Sequence, residues 1–135
     1  MIQNQWYIVA DSREVRKGRP IGLKRLGEEL VLWRDENGKV ICLRDRCVHR
    51  GAALSIGKLV NHHLQCPFHG LEFNAEGKCV QIPANGKNGI IPKVFQLQSF
   101  PVKEQFGWIW LWWGTKKEQD LPAIKWFDSI DDSFE

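Results

Sequence analysis

Four side chains, Cys47, His49, Cys66 and His69, have the types and the spacing for chemistry. They lie in two short segments, Cys47-Val48-His49-Arg50-Gly51 and Cys66-Pro67-Phe68-His69-Gly70, with 16 residues between His49 and Cys66. Each segment offers one thiolate and one imidazole. Spacings of i, i+2 and i, i+3 let the two side chains of a loop converge on one point, and Gly51 and Gly70 let the backbone come close with its N–H groups exposed. Two sulfur and two imidazole donors suit a single zinc ion, and equally a two-iron cluster whose irons differ in their ligands. Donor types alone leave both open.

The elements that must position these loops read as strands. Residues 29–34 and 39–44 are apolar, β-branched runs on either side of Asp35-Glu36-Asn37-Gly38, where Asn-Gly supplies the positive φ angles of a tight hairpin. A second hairpin is expected from residues 71–73 through Ala75-Glu76-Gly77 to residues 79–82, ended by Pro83. Trp6-Tyr7-Ile8-Val9 reads as a first strand, and Asp11-Ser12-Arg13-Glu14 as a capping-box start to a short helical turn that Gly18 and Pro20 stop. Residues 94–97 and 100–103 read as further strands. Gly107 precedes Trp108-Ile109-Trp110-Leu111-Trp112-Trp113, whose period-two tryptophans read as core on the two faces of a sheet. Many short strands predict an all-β fold, an antiparallel sandwich or small barrel. Cys42 and Cys79 fall inside predicted strands and read as small buried apolar residues. His62-His63 reads as a solvated turn.

Composition narrows the class. The 135 residues, 43% hydrophobic and 26% charged, describe one soluble domain able to bury roughly two thirds of its unfolded surface. No window approaches the roughly 20 apolar residues of a membrane span, and Met1-Ile2-Gln3-Asn4-Gln5 lacks the layout of a secretion signal, so a cytoplasmic location and no membrane partner are expected. Nineteen Lys plus Arg against 16 Asp plus Glu give a net +3, too scattered for a nucleic-acid surface. Four cysteines fall well below the roughly 8% of a disulfide scaffold, which favours thiol or metal chemistry. After Gly114 the texture changes. Residues 115–120 are a polar connector, and residues 121–135 mix Ile124, Trp126, Phe127, Ile130 and Phe134 with acids, a tail that needs a surface to pack on.

Cys-x-His-Arg-Gly followed by Leu54 and Gly57, then Cys-Pro-x-His-Gly with Phe73 and Gly77, resembles the Rieske iron–sulfur domain over roughly residues 5 to 114. The resemblance is strongest to the N-terminal domain of Rieske-type mononuclear non-haem iron oxygenases, the ring-hydroxylating and demethylating mono- and dioxygenases. It implies a [2Fe–2S] cluster with Cys47 and Cys66 on one iron and His49 and His69 on the other. It also implies a division into a Rieske domain, 1–114, and a connector, 115–135, similar to the link to a catalytic domain. Ala52 and Phe68 stand where high-potential respiratory members carry a cysteine pair. With two thiolates the oxidised core is neutral rather than −2, and the expected potential lies at the low end of the window of about −150 to +300 mV, against about −400 mV for all-cysteine ferredoxins. Leu71 stands where many members have an aromatic residue.

In that family a flavin NAD(P)H reductase or a ferredoxin donates electrons, and the histidine edge passes them to a mononuclear iron, often in a neighbouring subunit of a trimer. That iron needs two histidines and a carboxylate. Once His49 and His69 are assigned, only the adjacent His62 and His63 remain, so mononuclear Fe(II) is expected only if a catalytic domain follows. A free-standing Rieske ferredoxin, or a small subunit of the nitrite-reductase kind, is the alternative. A zinc-binding interaction module is the third.

Overall fold

Residues 30–33 and 40–43 are apolar without alternation, the mark of strands covered on both faces. In the computed structural model, which describes residues 4–46, 53–67, 70–81, 96–114 and 122, they lie in the middle of three antiparallel layers. The middle sheet joins β2 (Ile21–Arg25), β3 (Glu28–Arg34) and β4 (Val40–Arg44). On one side β1 (Gln5–Asp11), β10 (Trp108–Trp113) and β9 (Val102–Gln105) form the second sheet. On the other, β5 (Lys58–Val60), β6 (His63–Gln65), β7 (Glu72–Phe73) and β8 (Cys79–Gln81) form the third. The all-β antiparallel sandwich expected from the sequence is the fold observed, with one sheet shared between two cores.

Leu30, Leu32, Val40 and Cys42 pack against Ile109, Leu111 and Val102 of the second sheet. Val31, Trp33, Ile41 and Leu43 point the other way, onto Leu64, Cys66, Leu71, Phe73 and Cys79. Cys42 and Cys79 are each 1% exposed, as expected of packing residues. In β10 the alternation holds: Ile109 and Leu111 face the core, while Trp110 and Trp112 are buried on the opposite face, where Trp112 meets Trp6 edge to face at 5.4 Å; Trp108, expected in the core, is instead 37% exposed. Residues 11–14 form the expected capping box around a single 3-10 turn, Ser12–Glu14.

Two expectations shift. The strand placed at residues 100–103 runs instead from Val102 to Gln105, because the Phe100 N–H is spent on the Cys42 carbonyl and Pro101 has no N–H to give a ladder. Of residues 94–97, Gln96 makes an isolated bridge to Lys78, and residues 94 and 95 lie outside the described residues. The Asp35 to Gly38 hairpin is also closed differently. Only Gly38 takes a positive φ, +81°, and the Asp35 carboxylate accepts from the Asn37 and Lys39 N–H groups. Asn74 repeats the device: its side chain accepts from the Glu76 and Lys78 N–H groups, and Gly77 takes φ +81°. These are three-residue loops ending in a left-handed glycine.

Arg34 ties the layers together. Its guanidinium donates to the carbonyls of Ser12, Val15 and Gly38 and, in a forked pair at 2.8 Å, to both oxygens of Glu104 on β9. This contact holds the Glu104 carboxyl below its ordinary value and raises that of Arg34. A depressed carboxyl contributes stability that is complete above its unfolded value, about 4.3, and is lost as pH falls through the lower folded value. Glu104→Gln is therefore expected to lose less stability than the parent between about pH 6 and pH 3 in urea unfolding. Equal losses over that window would contradict the pairing.

Candidate metal centre

The first ligand segment leaves the end of β4. Asp45 N–H continues the ladder by donating to the Glu29 carbonyl at 2.8 Å, and Arg46 follows, exposed. Cys47 and His49 lie outside the described residues, as does the rest of 47–52. The chain resumes at Ala53 and enters a 3-10 turn, Leu54–Ile56, whose Leu54 is wholly buried in the core beneath the third sheet. Gly57 closes that turn, its N–H donating to the Leu54 carbonyl at 2.9 Å.

The second segment leaves β6. Cys66 is 3% exposed, free, and packed among Leu64, Leu71 and Phe73. Its N–H donates to the Leu71 carbonyl at 2.7 Å and its carbonyl accepts from the Gly70 N–H at 3.1 Å, so Gly70 and Leu71 are both bonded back to Cys66. Gly70 takes φ +72°, a conformation that costs a residue with a Cβ roughly 1 kcal/mol or more. Pro67 is exposed; Phe68 and His69 lie outside the described residues.

A buried cysteine whose backbone is tied on both sides, opening a glycine-closed loop, is the environment a cluster thiolate requires: water excluded and the sulfur held in place. Cys42 differs in place: it lies inside β4 and faces Ile109 and Leu111 in the other core, where burial pushes its thiol well above the ordinary range. The remaining histidines diverge. Asn61 and His62 take positive φ in the β5–β6 turn, His62 Nε2 lies 4.0 Å from Glu36, and His63 begins β6 with Nδ1 3.5 Å from Glu72 Oε1. Among the described residues no three His, Cys, Asp or Glu side chains gather as a metal site. The sequence reading passed over Asp45 and Ser55, which flank the first segment; the available signal was a lone acid ending an apolar strand two residues before Cys47.

The profile described as "Rieske [2Fe-2S] domain" matches residues 5–101. The chain belongs to this family, and its cofactor is a Rieske-type [2Fe–2S] cluster with an electron-transfer role. It is 44% identical over 123 residues to the "Dicamba O-demethylase, oxygenase component" of Stenotrophomonas maltophilia, covering 91% of this chain and 35% of that protein. It is 36% identical over 126 residues to "Protein TIC 55, chloroplastic" of Arabidopsis thaliana, covering 93% of this chain and 23% of that one. A crystal structure of dicamba monooxygenase superimposes with a TM-score of 0.80 at 41% identity, covering 91% of this chain and 39% of its own. Pseudomonas putida NdmA gives 0.81 at 31% identity, covering 96% of this chain and 40% of that one. The chain thus spans about a quarter to two fifths of these relatives' lengths. Among the described residues, no helix is long and apolar enough to cross a membrane.

Proposed function

We propose that this chain is the electron-accepting domain of a mononuclear non-haem iron oxygenase, with Cys47 and Cys66 ligating one iron of its cluster and His49 and His69 the other. The observation that carries the reading is the 44% identity to an oxygenase component over 91% of this chain. The buried, free Cys66 at the mouth of a closed loop supports its part in the ligand set. When bound, the cluster supplies a one-electron couple at the low end of the Rieske window, about −150 mV. The chain's own residues do the rest. Cys66 keeps its sulfur away from water, and His49 and His69 each retain an outer ring nitrogen that holds a proton more firmly when the site is more negative.

The division into 1–114 and 115–135 belongs to the same proposal. The Trp6 indole N–H donates to the Pro122 carbonyl at 2.9 Å, which ties the connector back to the second sheet. A flavin NAD(P)H reductase or a ferredoxin is the proposed donor, a mononuclear-iron domain the acceptor, and a trimer the proposed assembly. The cytoplasm is the proposed compartment, in keeping with the free buried thiols of Cys42 and Cys66.

Anaerobic reconstitution with iron and sulfide, followed by film voltammetry, tests the reading. The expected midpoint lies well below zero at neutral pH and falls as pH rises through the alkaline range. A midpoint well above zero, or one flat with pH, contradicts it.

A further inference from the structure

The two feet of the first ligand segment are tied to each other by a side chain. Asp45 is the buried charged residue among those described, 7% exposed, and its carboxylate accepts from the Ser55 N–H at 2.7 Å and from Ser55 Oγ at 2.6 Å. Both feet are themselves fixed, Asp45 by the Glu29 carbonyl on β3 and Ser55 by the 3-10 turn with its buried Leu54. Strand β2 passes directly over the contact. A Cβ on Gly22 would stand 2.5 Å from Ser55 Oγ, 2.8 Å from Ser55 Cβ and 3.0 Å from Asp45 Oδ2. Gly22 weakens its own strand, and the contact beneath it accounts for the missing side chain.

Burying a carboxylate costs desolvation that hydrogen bonds only partly offset, so a charged tie is a poor device for stability alone. It is a good device for geometry, because two short charge-assisted bonds fix both distance and direction. The second ligand loop needs no such tie, since its backbone closes it through Cys66, Gly70 and Leu71. We propose that Asp45 and Ser55 form a clasp that sets the span of residues 47–52, making them positioning residues for Cys47 and His49, with Gly22 the gap that admits the clasp. The inference rests on the ligand assignment proposed above.

The test uses the reconstituted chain and its Asp45→Asn, Ser55→Ala and Gly22→Ala variants, with Lys24→Ala, exposed beside Gly22, as control. Three readouts are taken: the rate at which an iron chelator bleaches the visible absorbance, the electron paramagnetic resonance spectrum of the reduced protein, and the urea midpoint. Asp45→Asn and Gly22→Ala are expected to bleach at least about fivefold faster than the parent, a change equivalent to about 1 kcal/mol, and to broaden the spectrum. Ser55→Ala should fall between, and Lys24→Ala should match the parent. Folded Asp45→Asn with the parent's bleaching rate and spectrum would overturn the clasp; if that variant does not fold, Gly22→Ala and Ser55→Ala decide on the same criteria. A parent without acid-labile sulfide would sink the ligand assignment instead. Trypsin cleavage at Arg50 then decides the clasp, faster in Asp45→Asn if it exists and unchanged if it does not.

Discussion

Cys66→Ser is expected to fold and to be colourless, losing essentially all the iron and sulfide that the parent holds, whereas Cys79→Ser keeps its colour. The comparison is informative because the two thiols share one core. Cys66 is 3% exposed and Cys79 1%, and both pack in the cluster around Phe73. A serine hydroxyl in either place costs roughly 1–3 kcal/mol of fold stability, since a polar group enters an apolar site. The fold therefore suffers alike in the two variants, and only the chemistry separates them. Cys66 opens the glycine-closed loop, while Cys79 sits within β8, paired with Phe73. Iron, sulfide and zinc determinations on both variants check the outcome. Equal loss of colour in the two would place the effect in the core rather than in ligation.

Gly57→Ala carries the second large effect. At Gly57 the backbone φ is −79°, which any residue adopts, so conformation is no obstacle. Space is. A Cβ there would lie 2.0 Å from the Gln65 carbonyl oxygen and 3.1 Å from that of Leu54, both backbone atoms that no rotamer change can move. Either β6 or the 3-10 turn must shift, and Gln65 immediately precedes Cys66. Overpacking of this kind costs about 3 kcal/mol, or about 10 °C in Tm for a domain of this size. Gly18→Ala is the contrast: φ is +83° with nothing within 4 Å, so only the conformational cost of roughly 1 kcal/mol applies. Thermal melts of the two variants should differ by several degrees. A Gly57→Ala protein as stable as the parent would mean that the turn and β6 are not in contact as described.

Why some of this was legible and some not follows from where each signal originates. The middle sheet was readable because burial on both faces leaves an unbroken apolar run, as at residues 30–33. The period-two tryptophans were readable because a pleated strand alternates its faces. The proposed ligand loops carry their signal in donors set at short spacings near glycine. By contrast, β2 escaped notice because Gly22 breaks its pattern, and that glycine answers to Asp45 and Ser55 on other elements. Two two-residue turns escaped as well, and a third, expected at His62-His63, lies one residue earlier. Leu26-Gly27, Asn61-His62 and Phe106-Gly107 take positive φ at both positions, although leucine and phenylalanine disfavour it. Strand pairing on either side, Arg25 with Glu28, Val60 with His63 and Gln105 with Trp108, imposes the turn over the local preference. Gly57 stands in the motif, and its physical reason is the Gln65 carbonyl across the third sheet. Contacts between distant segments carry no mark in either segment alone.

In the proposed ligation the two irons are unlike, one held by Cys47 and Cys66 and the other by the imidazoles of His49 and His69. Pulsed electron paramagnetic resonance on the reduced protein, grown with ordinary or ¹⁵N-labelled histidine, reads this most directly. The prediction is coupling to two histidine nitrogens that changes with the label, persists in His62→Ala and His63→Ala, and is lost on replacing His49 or His69. Coupling to no histidine nitrogen, or a colourless protein holding one zinc ion per chain, would contradict it.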